Sequence, residues 1–105
     1  MALPTGFHWI KAHQHERGEP TALALGDVEL ARLIDKVGGG WFVILERQKL
    51  PPPGEVFSPL VQRDCRSFEQ GRIGTEIWAT RHESRIRAEV AIRIVARPKH
   101  MAILR

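Results

Sequence analysis

Cys65-Arg66-Ser67-Phe68-Glu69-Gln70 is the stretch at which a strand-like run gives way to a helix. Ser67 and Gln70 have the spacing of a capping box, in which the serine hydroxyl accepts an amide of the first turn and the glutamine reaches back toward the cap. Upstream, Leu60 to Arg66 reads as a strand, and Gly40-Trp41-Phe42-Val43-Ile44-Leu45 as another. Together they predict an α+β fold, an antiparallel meander of three to five strands packed on one long C-terminal α-helix.

Downstream of the cap, Gly71 and Gly74 each weaken a helix by about 1 kcal/mol relative to alanine, so a helix that keeps them has a packing reason, such as close approach to the sheet. From Glu76 to Ala96 there is neither glycine nor proline. Glu83 with Arg87 and Glu89 with Arg93 are favourable i,i+4 pairs. The expected element is a single helix over 67–96, followed by a tail over 97–105. Ile86, Ala88, Val90, Ile92 and Ile94 also alternate with polar residues as a strand would. The absence of a turn signal at His82-Glu83-Ser84 favours the helix.

Length then raises a question of function. A helix of about sixteen residues spans ~24 Å, enough to cross strands of seven or eight residues at ~3.3 Å each. A helix of nearly twice that length overshoots its sheet. The excess carries Ile86, Val90, Ile92 and Val95, apolar groups that are costly to leave wet, which predicts self-association through the distal helix as a homodimer.

Upstream of the junction, Phe7 to Ala12 is rich in aromatic and branched residues and reads as a short strand, followed by a polar loop to Pro20. The sheet then occupies 21–66. Thr21 to Leu25 and Val28 to Ile34 flank Gly26-Asp27, a pair suited to a type II′ hairpin turn. Gly38-Gly39-Gly40 supplies the next turn. Every residue from Trp41 to Leu45 is apolar, which predicts cover on both faces of that strand. Pro51-Pro52-Pro53-Gly54 cannot sustain a sheet and reads as loop.

Composition bounds the rest. At 105 residues, 43% apolar and 27% charged, the chain reads as one ordinary globular domain over 1–105. Cys65 is the only cysteine, which excludes an internal disulfide. The start lacks the pattern of a secretory signal, and the longest apolar run, Trp41 to Leu45, is far below the roughly 20 residues needed to span a bilayer. No membrane association and a cytoplasmic location are expected. The net charge of +4 is uneven. Residues 1–60 hold six Lys/Arg against seven Asp/Glu, and residues 61–105 hold ten against five.

The chemistry-bearing residues have structural explanations close at hand. His13 and His15 beside Glu16 lack the further ligands of a metal motif, and no metal or other cofactor is expected. Cys65 and His82 as a nucleophile and its base lack a third member, and a strand cysteine facing a helix reads as packing. Neither a P-loop nor a dinucleotide fingerprint is present, and no catalytic residue is expected. The basic half offers Arg66, Arg81, Arg85, Arg87 and Arg93 for nucleic-acid contact, since the guanidinium fork suits phosphate. Their interleaving with Glu76, Glu83 and Glu89 equally suits a solvated helix. Trp41 and Trp78 read as core anchors, leaving Trp9 as the candidate for protein contact.

The strand around Gly40 and Val43, the Arg66-Ser67-Phe68 turn and the following helix resemble, over about residues 28–82, the three-strand-plus-helix module of the plant AP2 domain and of the arm-binding domain of tyrosine-type phage integrases. That resemblance implies DNA reading through the sheet face opposite the helix. Here the central strand sets Trp41, Val43 and Leu45 on one face and Phe42, Ile44 and Glu46 on the other, without an arginine row, although Arg32 and Arg47 lie nearby. The Leu23-Ala24-Leu25-Gly26-Asp27-Val28 hairpin and Ser67-Phe68-Glu69-Gln70-Gly71 are also similar to short bacteriophage and prophage proteins, which often bind or inhibit host machinery. The expected function is a non-enzymatic protein-binding module of phage or mobile-element type, with a host protein as partner. The alternative is a nucleic-acid-binding protein using the basic half.

Overall fold

The computed structural model describes residues 3–12, 18–57 and 59–96. Its elements are β1 (Phe7–Ile10), β2 (Ala22–Leu25), β3 (Val28–Asp35), β4 (Trp41–Leu45), β5 (Val61–Cys65), α1 (Phe68–Arg81) and α2 (Glu83–Val95). The strands form one five-stranded antiparallel sheet in sequence order, so each is joined to its spatial neighbour. Gly26 opens the β2–β3 turn at φ 62°. Asp27 stays outside the positive-φ region, as a type II′ turn requires.

One irregularity decides which side chains share a face. Leu23 lies opposite Ala31 and Ala24 opposite Glu29, leaving Leu30 as the extra residue of a β-bulge. Leu30 and Ala31 are both fully buried. The inserted residue also shifts the alternation by one, so Glu29 and Arg32 project from the same side. Arg32 donates to both Glu29 oxygens there, at 2.7 and 2.9 Å.

The capping box forms, with a variation. Ser67 Oγ accepts from the Gln70 amide at 3.1 Å, whereas Gln70 Oε1 takes the amide of Arg66 at 2.6 Å. Gly71, Thr75 and Ala79 turn toward the sheet. A Cβ on Gly71 would stand 2.5 Å from Leu33 Cδ2 and 2.9 Å from Cys65 Sγ. The glycine is what lets the helix lie this close to β3 and β5.

The single helix expected over 67–96 is two. His82 breaks it at φ −110°, ψ 20°. Its amide still donates to the Trp78 carbonyl at 3.1 Å and its own carbonyl accepts from Ile86 at 2.9 Å. The chain therefore departs from helical geometry at His82 while keeping the two helical hydrogen bonds that His82 itself makes, and no glycine or proline is needed. The cause is the overshoot: bending returns Ile86 and Val90, 0% and 4% exposed, to the core formed by Phe7, Leu23, Leu30, Leu33, Val43 and Leu45. The stretch 86–94, with its strand-like alternation, lies in α2.

The expectation of cover on both faces of β4 is met on one. Trp41, Val43 and Leu45 face the helices, with Trp41 packed on Phe68 at 5.1 Å between ring centroids. Phe42 and Ile44 point the other way and are half-buried. β1 forms the edge of the sheet beside β2. The His13, His15 and Glu16 loop and the tail over 97–105 lie outside the described residues.

Candidate functional site

The register assembles the face opposite the helices. Ile10, Ala22, Arg32, Ile44 and Gln62 form one transverse row, and Ile34, Phe42 and Asp64 form the next. Ile34, Phe42 and Ile44 thus make a half-buried apolar cluster shared by β3 and β4, with Ile10 set apart from it by Ala22 and Arg32. Its charges are already matched. Glu29 takes Arg32 and also lies 3.2 Å from Arg47 Nε, while Lys36 Nζ lies 3.1 Å from Asp64. A surface with an apolar centre and self-neutralised charges suits a protein better than a phosphate backbone.

The arginines of the basic half divide sharply. Arg85 grips Glu46 and also donates to Glu89, and Lys49 Nζ approaches Glu46 to 2.7 Å. Glu46 is buried and holds φ 69°, the left-handed region, which turns its carboxylate toward α2. Burial raises its carboxyl, but Arg85 and Lys49 outweigh burial and hold it below its ordinary value. Arg87 donates to Glu83 at 2.8 Å and to the Thr5 carbonyl at 2.6 Å, with its guanidinium 5.2 Å from the Phe7 ring centroid. Arg93 donates to the Arg47 carbonyl at 3.1 Å. These three clamp α2 onto the sheet. Arg66 and Arg81 are exposed, and no ion pair engages them among the described residues.

The residues expected to mediate self-association divide as well. Ile86 and Val90 are covered by the chain's own core, whereas Ile92 and Val95 are 60% and 78% exposed. Trp9 is half-buried, donates to Glu76 Oε2 at 2.8 Å and carries the Arg72 guanidinium 5.3 Å above its ring. It is a stitch between β1 and α1.

Cys65 and His82 both border a groove between β5 and α1. Burial, then the neighbouring Asp64, push the Cys65 thiol up, away from the thiolate a nucleophile needs. Among the described residues no group of three or more His, Cys, Asp or Glu could hold a metal ion, and no helix is long and apolar enough to cross a membrane.

Sequence reasoning missed Ile34, Phe42 and Ile44 as one surface. Strand alternation carried that signal, but the all-apolar run 41–45 was read as buried on both sides. Comparison of the chain with protein-family models, curated proteins and solved structures finds no match.

Proposed function

We propose that the protein is a non-enzymatic protein-binding module of phage or mobile-element type that self-associates in the cytoplasm. The observation that carries this reading is the half-buried apolar cluster of Ile34, Phe42 and Ile44 on the sheet face opposite the helices. Packing against a second copy removes these side chains from water, at roughly 25 cal/mol per Å² of apolar area. The ion pairs around them present both signs of charge, which is self-complementary in a two-fold contact. Ile92 and Val95 at the end of α2, 60% and 78% exposed, are a second apolar exposure on the same molecule. The phage or mobile-element type rests on the resemblance of the hairpin and cap motifs. Sedimentation at micromolar concentration tests self-association: a dimer is expected, and a strict monomer removes it.

A second reading, nucleic-acid contact through the basic half, is favoured by exposed Arg66 and Arg81. It predicts duplex DNA binding that falls steeply from low to physiological salt. Absence of binding at low salt ends it.

A further inference from the structure

β5 is an edge strand, and its hydrogen-bonding phase can be worked out from its neighbours. Leu33 N–H donates to Thr21 O, so Leu33 bonds toward β2, and Arg32 and Ile34 bond toward β4. Phe42 and Ile44 therefore face β3, and Trp41, Val43 and Leu45 face β5. On β5 this leaves the amides and carbonyls of Gln62 and Asp64 pointing away from the sheet. An edge that presents such groups is a template for another strand.

Beside this edge runs the groove between β5 and α1, with a volume of about 460 Å³. Val43, Leu45 and Trp78 give it an apolar floor, while Arg63 and Arg81 stand on its two sides. Gln70, Gly74, Ile77 and Arg81 recur at helical spacing along the bordering flank of α1. Gly74 leaves open space, since a Cβ there meets nothing within 4 Å. Arg63, Arg66 and Arg81 are all exposed, and Asp64, the one carboxylate among the residues lining the groove, is paired with Lys36.

We propose that the free edge of β5 and the groove beside it accept an extended acidic segment of a partner protein as a sixth strand. The main chain of Gln62 and Asp64 supplies the ladder. A carboxylate beside Arg63 and Arg81, alternating with an apolar residue over the floor, supplies the selectivity. A second copy fits this edge poorly: antiparallel pairing about the middle of β5 sets Arg63 against the same arginine of the other copy. The proposal rests on the protein-binding reading but not on the open sheet face.

The test uses the full chain and a fluorescein-labelled octapeptide of alternating glutamate and valine, read by anisotropy at low salt. It is expected to bind, and a lysine–valine octapeptide is not. Arg63→Glu with Arg81→Glu should lower affinity by about tenfold or more, the scale of one charged hydrogen bond. The same reversal should admit the lysine–valine peptide. Gln62→Pro removes an outward donor without touching the β4 ladder, and should abolish binding while circular dichroism is unchanged.

Equal binding of the acidic peptide by the charge-reversed or proline variant overturns the proposal. So does loss of self-association in Gln62→Pro, which makes a second copy the occupant, or tighter Arg63-dependent binding of duplex DNA than of the peptide. Sizing Phe42→Glu in parallel separates the two surfaces. A monomer that still binds peptide retains the edge, and a monomeric parent that still binds it retires self-association alone.

Discussion

Arg85 closes on Glu46 with both prongs of its guanidinium, Nη1 to Oε2 at 2.9 Å and Nη2 to Oε1 at 3.0 Å, across the gap between α2 and the end of β4. The paired geometry depends on the left-handed backbone of Glu46, because an extended residue at that position would aim its side chain at the open face. A non-glycine residue in that region costs about 1–2 kcal/mol, so the fork holds a conformation that the backbone alone disfavours. Glu46→Ala loses the fork and keeps the strain, whereas Glu46→Gly loses the fork and removes the strain. Both variants should be destabilised, with Gly more stable than Ala by about 1 kcal/mol in urea unfolding. Equal stability of the two would remove the strain from the account.

The same carboxylate sets an acid limit. The folded-state pKa of Glu46 is depressed, with Arg85 and Lys49 overcoming the opposing effect of burial. A depressed folded value means that the stabilisation is present above the unfolded value and is lost as pH falls through the folded one. Unfolding free energy should therefore decline from about pH 4 downward, the ordinary glutamate range. Glu46→Gln should show a shallower decline across that window. Arg85, raised chiefly by its hydrogen bond to Glu46, stays charged throughout and adds no slope.

Gly71 and Gly74 look alike in sequence and should respond oppositely to alanine. At Gly71 the new methyl meets Leu33 Cδ2, in the core, at 2.5 Å and Cys65 Sγ, at the edge of the groove, at 2.9 Å. Overpacking of this kind costs about 1–3 kcal/mol, which exceeds the helix-propensity gain of about 1 kcal/mol. Gly71→Ala should lower stability. Gly74→Ala meets nothing and should raise stability by about 0.5–1 kcal/mol. Thermal melts of the two variants check the contrast directly.

What the sequence made legible was local. Ser67 and Gln70 announced the helix start because a cap is a matter of spacing, and Gly26-Asp27 announced a hairpin for the same reason. Glu83 and Arg87 form the pair their spacing promised, at 2.8 Å. Glu89 instead takes Arg85, one turn earlier, and the distant Gln48, and Arg93 turns to the carbonyls of Arg47 and Gln48, groups that only the fold brings within reach. The bend at His82, the bulge at Leu30 and the left-handed Glu46 carry no marker residue. Each is imposed by packing between distant segments, as tertiary context overrides propensity. The open sheet face was hidden for a related reason: an all-apolar strand such as β4 looks the same whether one layer or two cover it.

The sheet face and the end of α2 compete for the role of dimer contact, and backbone order separates them. Phe42 and Ile44 lie on β4 in the sheet face, with Ile34 extending the apolar cluster onto β3. Ile92 and Val95 lie on the last turn of one helix, with Ile94 beside them at 47% exposed. The backbone of β4 on the sheet face is fixed by two neighbouring strands, so less order is lost when that face is covered. Phe42→Glu with Ile44→Glu should therefore convert the dimer to monomer at micromolar concentration. Both side chains lie outside the core cluster, so the melting temperature of the monomer should move little. Ile92→Glu with Val95→Glu should leave the dimer intact and weaken it by less than about tenfold, as a peripheral contact does. The reverse outcome, a dimer that survives the sheet variants and dissociates with the helix variants, would assign self-association to the distal end of α2.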